Sequence, residues 1–148
     1  MARKKLIRIW KTNTRNKSPY APLTSETPGN CYQNALEFVL QREASKSKMT
    51  ERFPQYSEET TIVHGKIRDL EGKILDHAWV KITPNGKPPS VRTNGNTWPA
   101  ETYYKTVVEV DAEYTPDEAF CLACNTAKPG RIQYGPWTAE ERKKFINR

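Results

Sequence analysis

The sequence predicts an α+β protein in which an N-terminal, Cys-bearing helix packs on an antiparallel sheet, with short helices at the C-terminal end. Three observations predict it. Ala35, Leu36, Phe38, Val39 and Leu40 recur at helical spacing behind Cys31. Two runs rich in β-branched residues, 60–68 and 74–82, are separated only by residues 69–73, with Asp69-Leu70-Glu71-Gly72 as the turn of a hairpin arrangement. The sequences Thr115-Pro116-Asp117-Glu118 and Thr138-Ala139-Glu140-Glu141 then spell two capping boxes that open late helices. Segregated helices and hairpin-linked strands indicate α+β rather than a wound parallel sheet.

Taken in order, residues 6–10 (Leu-Ile-Arg-Ile-Trp) read as a short edge strand guarded by basic neighbours. Residues 12–30 read as irregular chain, carrying Pro19, Pro22, Pro28 and Gly29. Asn30 is a suitable N-cap for a helix over 31–44, and Pro28-Gly29 blocks backward extension. The polar residues 45–59 read as a connection through Pro54. After the first two strands, Pro84-Asn85-Gly86-Lys87 predicts a type I′ hairpin into a third strand over 89–94. A helix over 98–105 with Pro99 in its first turn, a strand over 107–110, a helix from Thr115 to about Cys124, a strand within 128–134 and a basic C-terminal helix complete the expectation. The corresponding division is a basic segment 1–27, a domain 28–137 and a C-terminal helix 138–148.

Length and composition suit one modest core: 148 residues, 36% hydrophobic and 28% charged. No run approaches the roughly 20 apolar residues of a membrane span. The apolar run behind Arg3-Lys4-Lys5 is too short for a secretory signal, which needs about 7–15 apolar residues. Three cysteines are an odd number and too few for a disulfide scaffold, so a reducing, cytoplasmic setting is expected. The net charge of +7 is concentrated. Seven of the 24 basic residues fall in positions 1–17 with no acid among them, leaving 17 basic against 17 acidic beyond. Such an arm is able to contact nucleic acid weakly through phosphates, although basic segments are more often simply solvated.

The chemistry centres on Cys31. A thiol at a helix N-terminus faces unsatisfied backbone N–H groups and the positive end of the helix dipole, which favour thiolate. The same N–H groups suit an oxyanion. The plain alternative is a small buried hydrophobe, the usual role of a free Cys. A nucleophilic Cys needs an imidazole to take and return its proton, and the chain offers only His64 and His77. A two-residue Asn85-Gly86 loop pairs Ile82 with Pro89 and His77 with Asn94, placing Asn94 to orient the imidazole; a one-residue slip brings Thr93 or Gly95 there instead. If residues 70–72 form a three-residue loop, Gly65 faces His77 and His64 points to the other face. With a two-residue loop the histidines share a face.

Gly29-Asn30-Cys31-Tyr32-Gln33-Asn34-Ala35-Leu36, then Val63-His64-Gly65, then His77-Ala78-Trp79-Val80 resembles papain-like thiol proteins of the transglutaminase-like and small bacterial or phage cysteine-peptidase type. The resemblance covers roughly residues 28–137. It implies a papain-like domain, Cys31 as nucleophile, His77 as general base and then acid, and Asn94 as third member. The transglutaminase-like pattern has Asp-Pro-Thr where this chain reads Arg92-Thr93-Asn94-Gly95. The papain pattern has a Gln shortly before its Cys, and positions 24–30 hold none. The Cys31 N–H, with the Asn30 or Gln33 side chain, would then serve the oxyanion, and His64 and Trp79 would line the substrate site.

The expected function is thiol-dependent hydrolysis or acyl transfer at an amide or ester carbonyl, on a protein, peptide or small amide, with neither cofactor nor metal. The alternative is a non-catalytic papain-like binding or inhibitory module that uses the basic segment to engage nucleic acid or an acidic partner. Cys121-Leu122-Ala123-Cys124 falls mid-helix and reads as core cysteines rather than a redox or zinc motif.

Overall fold

A computed structural model describes residues 30–148; the basic segment and the strand expected at 6–10 lie outside them. The fold is α+β, as predicted. Helix α1 (Asn30–Arg52) leads into strands β1 (Glu58–Arg68), β2 (Ile74–Pro84), β3 (Ser90–Thr93) and β4 (Asn96–Pro99). A short helix α2 (Ala100–Tyr103) and a 3-10 turn (Tyr104–Thr106) carry the chain to β5 (Val107–Tyr114), and α3 (Pro116–Asn125) and α4 (Ala139–Ile146) close it. The five strands form one antiparallel sheet in the order β4-β3-β2-β1-β5.

Each sheet face carries its own core. On one face Ala35, Leu36 and Val39 of α1 meet Ile62, Ala78, Val80 and Ile82, with Leu122 of α3 and Trp137 extending the cluster. On the other, Trp79 packs with Val63, Ile67, Val91, Trp98 and Tyr103. Alternation of side chains along a strand separates the two sets. Burial of a Leu- or Val-sized side chain is worth about 1.5–3 kcal/mol, so Leu36 and Val39 together hold the middle of α1 firmly to the sheet.

Several elements depart from expectation for identifiable reasons. Helix α1 runs eight residues past Ala44 because its later turns acquire partners. Ser45 donates to the Gln41 carbonyl, Lys46 pairs with Glu43, and Arg42 grips Glu58 through two bonds of 2.7 Å; Pro54 then enforces the stop. Trp98 and Pro99 belong to β4 rather than to a helix, since Trp98 pairs with Val91 and is buried beside it. Residues 128–134 yield a single bridge, Lys128 to Arg131, instead of a strand, in a segment broken by Pro129 and Gly130. Both capping boxes form in full. Cys121 is only half-buried, its Sγ 3.5 Å from the Phe145 carbonyl oxygen, and Cys124 is exposed; their helix buries Ala119, Leu122 and Ala123 instead.

The hairpins set the registers that matter for the site. The β1–β2 connection behaves as a three-residue loop: Asp69 N–H bonds the Lys73 carbonyl, Arg68 pairs with Ile74 and Gly65 faces His77. At Pro84–Lys87 only Gly86 takes a positive φ, 71°, whereas a type I′ turn needs positive φ at both central residues. The Asn85 side chain is instead drawn to the Ser57 N–H and the Gln55 carbonyl. The β2–β3 register is therefore displaced by one residue from the expectation, with Ile82 opposite Ser90 and Val80 opposite Arg92. The type I′ pattern occurs at the second Asn-Gly, where Asn94 (φ 49°) and Gly95 (φ 81°) join Thr93 to Asn96.

Candidate functional site

Cys31 is the second residue of α1, and no acidic side chain stands in the first turn of that helix. Going along the helix, Asn34, Phe38 and Gln41 follow it at intervals of three, seven and ten, so all four fall on one stripe. That stripe forms one wall of a cavity of about 370 Å³. Ala78 and Val80 of β2 form its floor, and Arg92, Thr93, Asn94 and Gly95 form the opposite wall. The Asn94-Gly95 turn thus delivers the end of β3 to the first turn of α1.

Thr93 joins this cavity to His77. The Thr93 hydroxyl lies 2.8 Å from His77 Nε2, with both side chains buried. Burial alone pulls the imidazole down to about 4 from its ordinary 6.5, so the ring is neutral at physiological pH. Tyr103 extends the cluster. Burial chiefly raises its phenol, the neighbouring Thr93 hydroxyl draws it back, and Cys31 is among the charges that raise it. Nδ1 is the ring nitrogen of His77 not engaged by Thr93.

The residues singled out in the sequence are only partly gathered here. Cys31 and Asn94 line the cavity. Asn94 is a turn residue and does not orient His77; Thr93 does, although the one-residue slip that occurs is the one that sets Gly95, not Thr93, opposite His77. His77 shares the sheet face of Trp79, ring centroids 6.4 Å apart, which is the face opposite α1. Trp79 is fully buried, donates from Nε1 to the Tyr104 hydroxyl at 3.1 Å and does not line the cavity. Asn30 is exposed at the helix start, and Gln33 donates to Glu37 at 3.0 Å on the outer surface, so neither reaches the cavity wall.

His64 lies on the other face from His77, as the three-residue loop requires. It stacks on Trp137 (5.2 Å, 27°), meets Tyr32 and Tyr114 edge-on, and lines a separate cavity of about 290 Å³. Burial first, and the Arg142 charge second, pull it down to about 4. Arg92, Asn34, Glu37 and Gln41 are cavity residues that the sequence did not single out. The helical interval from Cys31 and the second Asn-Gly pair were the available signals. Among the described residues no group of three or more His, Cys, Asp or Glu side chains is placed to hold a metal ion, and no helix is long and apolar enough to cross a membrane.

No family model matches the chain, and no curated protein or solved structure is significantly similar to it.

Proposed function

We propose that the cavity at the start of α1 is a thiol-dependent acyl site, acting as a hydrolase or acyltransferase on an amide or ester. The observation that carries this reading is the sharing of one cavity by Cys31 and Thr93, with His77 Nε2 2.8 Å from the Thr93 hydroxyl. The Cys31 sulfur adds to the carbonyl carbon as its proton passes to His77 Nδ1. The negative oxygen so formed meets the N–H groups of the first helical turn. Collapse expels the amine or alcohol, which takes the proton from His77, and leaves a thioester. Water, or a second nucleophile, then attacks that thioester while His77 accepts its proton, and the thiol is restored. Thr93 holds the ring, the role the sequence assigned to Asn94. A thiolate beside the buried imidazole would offset the cost of charging it.

A second reading, a non-catalytic binding module, is favoured by one observation: His77 projects from the sheet face opposite α1. Acylation by an activated ester separates the two, followed at the Cys31 peptide by mass spectrometry. The catalytic reading expects a Cys31 adduct that discharges in water, formed about a hundredfold more slowly in His77→Gln. Equal acylation rates at Cys31 in wild type and His77→Gln, together with iodoacetamide labelling at pH 6 no faster than at the exposed Cys124, would leave the binding reading standing.

A further inference from the structure

We propose that Arg92 makes this cavity selective for acyl groups bearing a carboxylate, with Asn94 receiving the amide that links carboxylate and reacting carbonyl. The inference rests on the thiol-site reading for the words "acyl" and "reacting", but the recognition itself depends only on the cavity.

The guanidinium of Arg92 is half-buried in the wall and lies over the Phe38 ring at 5.1 Å. Its one hydrogen bond within the described chain is to the Thr97 hydroxyl at 3.3 Å, which leaves most of its five donors unused. Among the described residues no carboxylate contributes to its environment. The charge acting on it is another cation, Arg42, and burial and that charge together lower its affinity for a proton. Arg42 itself is satisfied by the two bonds to Glu58. The acid that does line the cavity, Glu37, accepts from the Gln33 amide at 3.0 Å and is not among the groups that act on Arg92. A buried charge without a counter-charge is costly, and a planar fork of free donors is the geometry that takes a carboxylate through paired bonds.

Asn94 supplies the second, independent observation. Its side-chain nitrogen and oxygen are both shielded from solvent and neither is hydrogen-bonded among the described residues, so a rotation of the side chain is what presents them to a ligand. Leaving such a group unsatisfied costs about 1–3 kcal/mol, and its turn conformation fixes it in the same cavity wall. One amide offers a donor and an acceptor, the complement of a peptide link. Phe38 lies seven residues beyond Cys31, about 10 Å along the helix, so the recognised carboxylate belongs several bonds from the reacting carbon. An acidic side chain or a peptide C-terminus one residue removed fits that spacing.

The test uses the full chain and alkylating probes of graded reach: N-iodoacetyl derivatives of β-alanine, 4-aminobutyrate and 6-aminohexanoate, each beside its neutral primary amide. Rates are read at the Cys31 peptide, with exposed Cys124 as the internal control. The expected result is a carboxylate-to-amide rate ratio at Cys31 roughly tenfold above that at Cys124 for at least one length, the gain of one charge-assisted bond. The ratio should fall towards one in Arg92→Gln, survive in part in Arg92→Lys, and shrink with salt. Equal ratios at Cys31 and Cys124 in wild type overturn the proposal without any variant, and an unchanged ratio in folded Arg92→Gln does the same. The neutral iodoacetamide rate reports the thiol separately. Ordinary Cys31 reactivity with the ratio intact removes catalysis and keeps recognition, whereas high reactivity with a ratio of one removes recognition alone.

Discussion

Two imidazoles buried neutral in a small protein make its stability depend on pH well above the carboxylate range. His64 and His77 are 3% and 5% exposed, and burial holds each at about 4 against 6.5 in the unfolded chain. Because the folded values are depressed, the unfolded state binds more protons at every pH between them, so folding is weakened as pH falls through 6.5 and the loss levels off below 4. Between pH 7.5 and 5.0 each ring removes about 2 kcal/mol, and the two together about 4 kcal/mol. That is a large share of the 5–15 kcal/mol typical of a domain. The assay is urea unfolding followed by tryptophan fluorescence, in which this loss lowers the midpoint by about 2 M for a slope near 2 kcal/mol/M. His64→Phe keeps an aromatic ring against Trp137, and His77→Gln keeps an amide within reach of Thr93; each should abolish about half of the drop. A midpoint unchanged or higher at pH 5.0, or the full drop persisting in the double variant, refutes the assignment of these rings as buried and neutral.

Three further outcomes follow from the packing. Gly65→Ala should destabilise by about 3 kcal/mol, since an added Cβ would lie 2.3 Å from the Glu109 carbonyl oxygen and 3.0 Å from the Trp79 ring; Gly86→Ala, with open space but φ 71°, should cost only about 1 kcal/mol in the same urea titration. Arg42→Met should cost about 2–3 kcal/mol by leaving the fully buried Glu58 carboxylate without its cation. Glu58 is held at about 2, mainly by Arg42; its stabilisation is present above its ordinary 4.5 and lost as pH falls towards 2. The variant should therefore begin acid unfolding at higher pH, as circular dichroism during acid titration would reveal. Thr93→Val should slow Cys31 acylation about tenfold and Thr93→Ser should restore it, because only the hydroxyl holds His77 Nε2; identical rates for the Val and Ser variants would remove Thr93 from the mechanism.

The parts of the fold legible in the sequence were those governed by local chemistry. The capping boxes at Thr115 and Thr138 are local hydrogen-bond patterns, and both formed. The two long strands were legible because β-branched residues and an Asp-to-Gly turn coincide, and the three-residue form of that turn separates His64 from His77. What was not legible depended on distant partners. The late turns of α1 are held by Glu58, sixteen residues from Arg42. The Asn85 turn is shaped by Ser57 and Gln55, and the resulting one-residue shift put Thr93, the residue after Arg92, on the sheet face of His77, where its hydroxyl reaches Nε2 from a neighbouring position rather than from directly opposite. Two Asn-Gly pairs competed for the same hairpin signal. The choice between them was made by tertiary contacts at the first and by the plain type I′ geometry at the second.

The two cores described above give the central strands an unusual relation to substitution. A strand buried on one face tolerates change at every second position, which produces alternating stripes in a saturation-mutagenesis map. Here Thr60 through Gly65 of β1 are six consecutive buried positions, and His77 through Val80 of β2 are four. Both stretches would appear as unbroken intolerant blocks. Variation in a lineage of such chains would then be channelled to the sheet edges, to the loops and to the cavity wall around Arg92 and Asn94, where new specificity can be acquired without disturbing either core.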